Sequence, residues 1–247
     1  KFVCYPNRCT DLTMDHVTIF NEWWAQNGDG IDISACKKVL LYKCTVSAGD
    51  DAICMKSGGG NDGQAALAEV IVAGCTVYHG HGGFVIGSNT DGGMHNIAVS
   101  DCIFIGTDVG LRFKSNMGRG GLVDNIFIRD IYMRDIVNEG VLFDTYYEDA
   151  PAGSTRDSAK PRPLDKVPEF REFHISRIYC SGARTAIRIT GLPQMPVHRI
   201  FFDSLIISSG KGLIATQAQQ IELQSVKLIV KEEPAIQADK TADIRVR

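Results

Sequence analysis

The chain has 247 residues, 44% of them apolar and 22% charged, with a formal net charge of -3. That length suits one large domain with a continuous core, and the balance excludes a disordered chain or a strongly basic nucleic-acid binder. No apolar run approaches the ~18 residues of a membrane span, and glycine, at 25 residues against 8 prolines, exceeds its usual ~7%.

From the N-terminus onward one phrase recurs. Two apolar residues separated by one are followed by two mostly polar residues and a second alternating apolar pair. The phrase begins at Leu12, Val39, Val70, Ile97, Ile126, Phe173, Ile200 and Ile221. Its second pair opens at Val17, Cys44, Cys75, Cys102, Ile131, Ile178, Leu205 and Val226, spaced by 27, 31, 27, 29, 47, 27 and 21 residues. Each unit closes on a third pair: Ile31/Ile33, Ile53/Met55, Phe84/Ile86, Leu111/Phe113, Val141/Phe143, Ile187/Ile189, Leu213/Ala215 and Ile236/Ala238.

Period-2 pairs this short and this close are strands rather than helices. The spacing predicts an all-β parallel β-helix over residues 1–247, a single domain of about eight rungs with three sheets. Corners between the strands are expected to account for the glycines. Cys44, Cys75 and Cys102 fall in one inward column, a thiol ladder, with a disulfide among them the less favoured reading. The sequence does not decide whether Cys4 and Cys9 pair. The 47-residue gap predicts a surface loop inserted at 144–172. The first rung begins within about a dozen residues of Lys1, which predicts that N-terminal rungs are missing from this chain.

Counting from the third pair places several polar residues on the outer side of one sheet. Asp29 and Asp51 each lie two residues before that pair, on successive rungs. Asp50 and His81 each lie three before it. Arg112 sits between Leu111 and Phe113, Lys114 follows Phe113, and Tyr147 lies four past Phe143. These seven form a stripe about 19 Å long at ~4.8 Å per rung.

Three carboxylates this close repel, so at least one is expected to keep its proton to unusually high pH. One protonated acid beside one ionised base is what glycosidic cleavage requires, and the nearby cations suit an acidic substrate. Alone, a Gly-Asp-Asp is usually a solvated turn, a Gly-His-Gly a corner and an Arg-Phe-Lys an exposed strand face. Their common register favours a site. His16, His95, His174 and His198 are scattered and read as corner or surface residues. Arg188 shares the Arg112 column and is either an outlying substrate contact or a solvated side chain. Trp23 and Trp24 either stack on sugar rings or pack over the shoulder of the groove.

Four motifs in this order and spacing closely resemble the signature set of glycoside hydrolase family 28, the polygalacturonases. They are Asn27-Gly28-Asp29-Gly30-Ile31-Asp32, Gly49-Asp50-Asp51-Ala52-Ile53, Gly80-His81-Gly82-Gly83 and Leu111-Arg112-Phe113-Lys114-Ser115. The match continues through Gly118-Arg119-Gly120-Gly121 and Tyr147-Glu148-Asp149.

The resemblance implies a right-handed parallel β-helix that hydrolyses α-1,4 bonds between galacturonic acid units of pectin, with inversion and without a cofactor or metal. It implies that Asp50 is the general acid, that Asp29 and Asp51 hold and deprotonate the attacking water, and that His81 tunes the acid and touches substrate. Arg112 and Lys114 would bind a galacturonate carboxylate beside the scissile bond, and Tyr147 would line the same subsites. The implied partner is an acidic polysaccharide or oligosaccharide, neither nucleic acid nor membrane, and the implied location is secreted or periplasmic.

Two departures stand out. Gly28 occupies the position where the family usually carries Thr, and the family's several rungs before its first motif are scarcely present. Three competing readings remain: a hydrolase of rhamnogalacturonan or xylogalacturonan, a calcium-dependent pectate lyase, and an inactive carbohydrate-binding solenoid.

Overall fold

The computed structural model describes residues 2–58, 65–147 and 166–247. Among them are nineteen strands, joined rung to rung in parallel pairs within one hydrogen-bonded sheet. The three apolar columns stack as their spacing predicts. Leu12, Val39, Val70, Ile97, Ile126, Phe173, Ile200 and Ile221 succeed one another as direct partners. Cys102, Ile131, Ile178 and Leu205 do the same in the second column. In the third, Ile31, Ile53, Phe84, Leu111, Val141, Ile187, Leu213 and Ile236 stack in order.

Alternation turns all three columns inward, and the first seven residues of the third are fully buried. Phe113, Phe143 and Phe173 fill the middle of the solenoid with ring centroids 4.7, 4.9 and 5.0 Å apart, a contact area that dominates local packing.

Three expectations need correction. First, strands such as Met94–Ile105, Leu122–Arg134, Glu169–Thr190 and Val197–Thr216 run straight through corners. The three sheets are therefore three faces of one curled sheet.

Second, apart from Gly74, glycines do not make the corners ahead of the first and second pairs. The residue before each first pair (Asp11, Lys38, Glu69, Asn96, Asn125, Glu172, Arg199, Gln220) has φ between 52° and 60°. The residue before each second pair (His16, Lys43, Gly74, Asp101, Asp130, Arg177, Ser204, Ser225) has φ between 50° and 66°. Only Gly74 among these is a glycine, although the left-handed conformation costs an L-residue roughly 1–2 kcal/mol.

Many of the glycines instead serve close approach. Directly before the third pairs runs a column of Gly30, Ala52, Gly83, Gly110, Gly140, Ala186, Gly212 and Ala235. A Cβ at Gly110 would lie 2.6 Å from the Gly140 carbonyl oxygen and 2.2 Å from Met133 Sδ.

Third, the loop expected over 144–172 is strand at both ends, because Asp144 closes Glu139–Asp144 and Glu169 opens Glu169–Thr190. Residues 148–165 of it lie outside the described residues. Partial rungs also flank the eight. Cys4 pairs with Ile31 and Asn7 with Ser34, and Ala242–Val246 pairs with Ala218–Gln224.

All eight cysteines, Cys4 and Cys9 included, are free thiols. Among the described residues no helix is long and apolar enough to cross a membrane.

Candidate active site

The site lies on the outer side of the third face, over the strands Ile31–Ser34, Ile53–Ser57, Phe84–Thr90 and Leu111–Lys114. Register puts Asp32, Cys54, Val85 and Arg112 in one outward column. The corners feeding these strands carry Asp29, Asp50, Asp51 and His81. A groove of about 330 Å³ lies here, lined by residues that include Asp29, Asp50, Asp51, Lys114 and Tyr147.

All seven predicted residues come together, but as an interlocked cluster rather than an open stripe. Arg112 Nη1 donates to Asp51 Oδ1 at 3.0 Å, and Lys114 Nζ lies 2.7 Å from Asp51 Oδ2. The same two cations stand over the Tyr147 ring, 5.5 and 4.5 Å from its centroid. His81 Nδ1 donates to Asp50 Oδ1 at 3.1 Å, and the Asp51 amide donates to the same oxygen at 2.9 Å. Asp29, Asp51 and Lys114 are buried, at 4%, 1% and 4% exposure.

Two glycines clear the path for the cations. A Cβ at Gly82 would sit 3.2 Å from Arg112 Cβ, and one at Gly87, where φ is 105°, would sit 1.8 Å from the Lys114 carbonyl oxygen. Gly28 is similarly enclosed. A Cβ there would meet the Ala25 carbonyl oxygen and Asn21 Nδ2, each at 2.5 Å, so the loop ahead of Asp29 is packed onto the glycine.

The carboxyls separate as mutual repulsion requires. Burial and the neighbouring Asp32 carboxylate push Asp29 up to about 7, with Lys56 opposing. Burial also works on Asp51, but Lys114 and Arg112 outweigh it and hold Asp51 below the ordinary range. Asp50 likewise ends below its ordinary value, because the His81 hydrogen bond and charge outweigh burial. The bond to Asp50 in turn raises His81.

Counting from the apolar pairs left several residues unnoticed. Lys56 Nζ lies 2.9 Å from Asp32 Oδ1, 3.4 Å from Asp29 Oδ2 and 3.1 Å from Cys54 Sγ. Asp32 sits between Ile31 and Ile33 as Arg112 sits between Leu111 and Phe113, and Lys56 follows Met55 as Lys114 follows Phe113. The same offsets therefore point to both. Phe2, Tyr5, Ser88, Asn89 and Arg119 also line the groove, and no sequence period marks them.

Trp23 and Trp24 stand exposed, edge to face, outside the groove lining. Arg188 pairs with Glu139 at 3.0 Å. His174 stacks between Phe127 and Phe201 on the far surface.

Asp29, Asp51 and Cys54 bring ligand-type atoms within 4.8 Å of one another. Lys56 stands against Asp29 and Cys54, and Lys114 against Asp51. Two carboxylates and a thiol already facing ammonium groups do not fit the six to eight oxygen ligands of calcium.

A buried carboxylate cluster with fixed cations thus sits in a groove on one face of a parallel β-helix. The family model of glycosyl hydrolases family 28 matches residues 1–163, and the chain belongs to that family. Its fold is the family's right-handed parallel β-helix.

The polygalacturonase of Ralstonia nicotianae is 39% identical over 137 residues, 54% of this chain and 24% of that one. The exo-poly-α-D-galacturonosidase of Dickeya chrysanthemi is 26% identical over 184 residues, 74% of this chain and 30% of that one. A solved hyperthermoactive exopolygalacturonase from Thermotoga maritima superposes with a TM-score of 0.80 at 26% identity, covering 91% of this chain and 49% of that one. The chain thus spans a quarter to a half of the length of these relatives.

Proposed function

We propose that the groove hydrolyses α-1,4 bonds between galacturonic acid units of pectic polygalacturonate, with inversion, by general acid and base catalysis. The observation that carries the reading is the gathering of three aspartates at one groove, Asp51 against Arg112 and Lys114, Asp50 against His81, and Asp29 with a carboxylate oxygen within 4.8 Å of one on Asp51.

Asp29 and Asp51 oxygens within 4.8 Å of one another suit a single water accepted by both, at hydrogen bonds of ~2.7 Å. The two carboxyls of an inverting pair stand about 6.5–9.5 Å apart, so Asp29 and Asp51 act on the same side. They hold the water and take its proton as its oxygen attacks the anomeric carbon. Once ionised, an aspartate that titrates near 7 is a stronger base than an ordinary one.

Asp50 delivers the proton to the leaving glycosidic oxygen. In the open groove the cations around Asp50 keep it ionised. A galacturonate carboxylate seated against Lys114, with Arg112 and Tyr147 beside it, cancels that field, and the sugar ring shields Asp50 from water. Both changes raise the affinity of Asp50 for a proton, and His81 tunes it through their shared hydrogen bond.

The relatives named as polygalacturonases support the substrate, an acidic polysaccharide or oligosaccharide. Reducing ends released from polygalacturonic acid by wild type and Asp50→Asn test the reading. A loss of about 10²–10⁴-fold is expected, and equal rates would contradict it.

A further inference from the structure

Asp32 and Lys56 belong to the groove but carry no role in the scheme above. Asp32 is fully buried. Among the described residues its cation within ion-pair distance is Lys56, at 2.9 Å. The same ammonium reaches Asp29 Oδ2 at 3.4 Å, Cys54 Sγ at 3.1 Å and the Gly87 carbonyl oxygen at 3.5 Å. The Lys56 side chain is 14% exposed and crosses the Phe2 ring, 5.2 Å from its centroid.

A buried ion pair is weak evidence for stability, because an apolar pair of equal volume serves as well or better. Placing two buried acids against one ammonium, with one acid facing the groove, has a different consequence. We propose that Asp32 and Lys56 are positioning residues for Asp29: Asp32 anchors the ammonium, and the ammonium holds the Asp29 carboxylate toward the groove in a form ready to ionise. The inference rests on the proposed function only in giving Asp29 the role of base.

The charged and titratable groups around Asp29 can be assigned by element. Asp32 comes from its own rung, and Asp50, Asp51, Cys54 and Lys56 from the next. Lys114 and Arg112 reach in through Asp51, and Cys4 from the N-terminal segment feels Asp32. Within this set Asp32 and Lys56 pull in opposite directions. Asp32 repels charge on Asp29 and Lys56 favours it. Burial works against charge on Lys56 itself, and the Cys54 sulfur with the Asp32, Asp51 and Asp29 carboxylates outweighs burial. Lys56 therefore stays an ammonium throughout the range in which Asp29 titrates.

The test is the carboxyl ¹³C titration of Asp29 in the free chain, paired with the pH profile of kcat/KM on polygalacturonate. Wild type, Asp32→Asn, Lys56→Met and Lys56→Arg are compared. Asp32→Asn should lower the Asp29 midpoint by about one pH unit, a tenfold gain in acidity. Lys56→Met should raise it, and Lys56→Arg should keep it near wild type. The acid limb of kcat/KM should follow each shift.

Lys56→Met leaves two buried carboxyls without their cation. If it does not fold, Asp32→Asn and Lys56→Arg carry the comparison alone. An Asp29 midpoint unmoved by Asp32→Asn, with turnover intact, would overturn this inference and leave the hydrolase reading standing. Shifted midpoints without turnover in any variant would support the inference and count against the hydrolase reading.

Discussion

At the scale of single residues the groove is organised by competition for protons. Burial raises all three aspartates, and what distinguishes them is the cation each one meets. Asp51 meets two at 3.0 Å or less, Asp50 meets His81, and Asp29 shares one lysine with Asp32. The sign of the stability effect follows. Asp29 ionises near 3.8 when unfolded and at about 7 when folded, so the folded state binds the extra proton between these values. Stability from this group is complete below 3.8 and is lost as pH rises through about 7.

Asp29→Asn is therefore expected to raise the melting temperature at pH 8, by a stabilisation on the order of 1–3 kcal/mol. At pH 3.5 it should make little difference. Thermal denaturation at the two pH values checks this, and an equal shift at both would contradict it. Column arithmetic put seven polar residues on one face, where the structure brings them together, and the same offsets lead to Asp32 and Lys56. Periodicity fixes which face a residue occupies but not where a long side chain ends. It therefore could not show that Arg112 and Lys114 also pair with Asp51.

At the scale of elements the rung is a phrase of apolar pairs punctuated by two left-handed residues and one small one. The pairs were fully legible, because inward columns need apolar side chains at a fixed period. The corners were misread, because a high glycine count looks the same whether it serves positive φ or close approach. Asn125 and Gly110 separate the two uses. Asn125 holds φ at 54° with an ordinary side chain, whereas the Gly110 position is closed by Met133 and the Gly140 carbonyl. Asn125→Gly is expected to change stability by less than about 1 kcal/mol, since relief of strain and added chain entropy offset each other. Gly110→Val should cost more than about 3 kcal/mol or prevent folding, because overpacking meets the Gly140 backbone carbonyl as well as the Met133 side chain. Chemical denaturation of both variants checks the contrast, and comparable losses would contradict the assignment of the small column.

At the scale of the whole molecule the solenoid sets the site by stacking. Each rung adds one strand to the third face, so residues from five successive turns of chain meet at a single site. Their order along the sequence becomes their order along the solenoid, which is why a sequence pattern could place these residues on one face. The lining residues contributed by the N-terminal segment, Phe2 and Tyr5, and by Ser88 and Asn89 near the end of the strand Phe84–Thr90 escaped it because they belong to no column of apolar pairs.

The central claim is inverting hydrolysis in this groove, and the anomer of the new reducing end tests it most directly. Proton NMR of a galacturonate oligomer during the first minutes of reaction should show the β-anomer appearing ahead of mutarotation. First appearance of the α-anomer, or of an unsaturated product absorbing in the ultraviolet, would contradict the account.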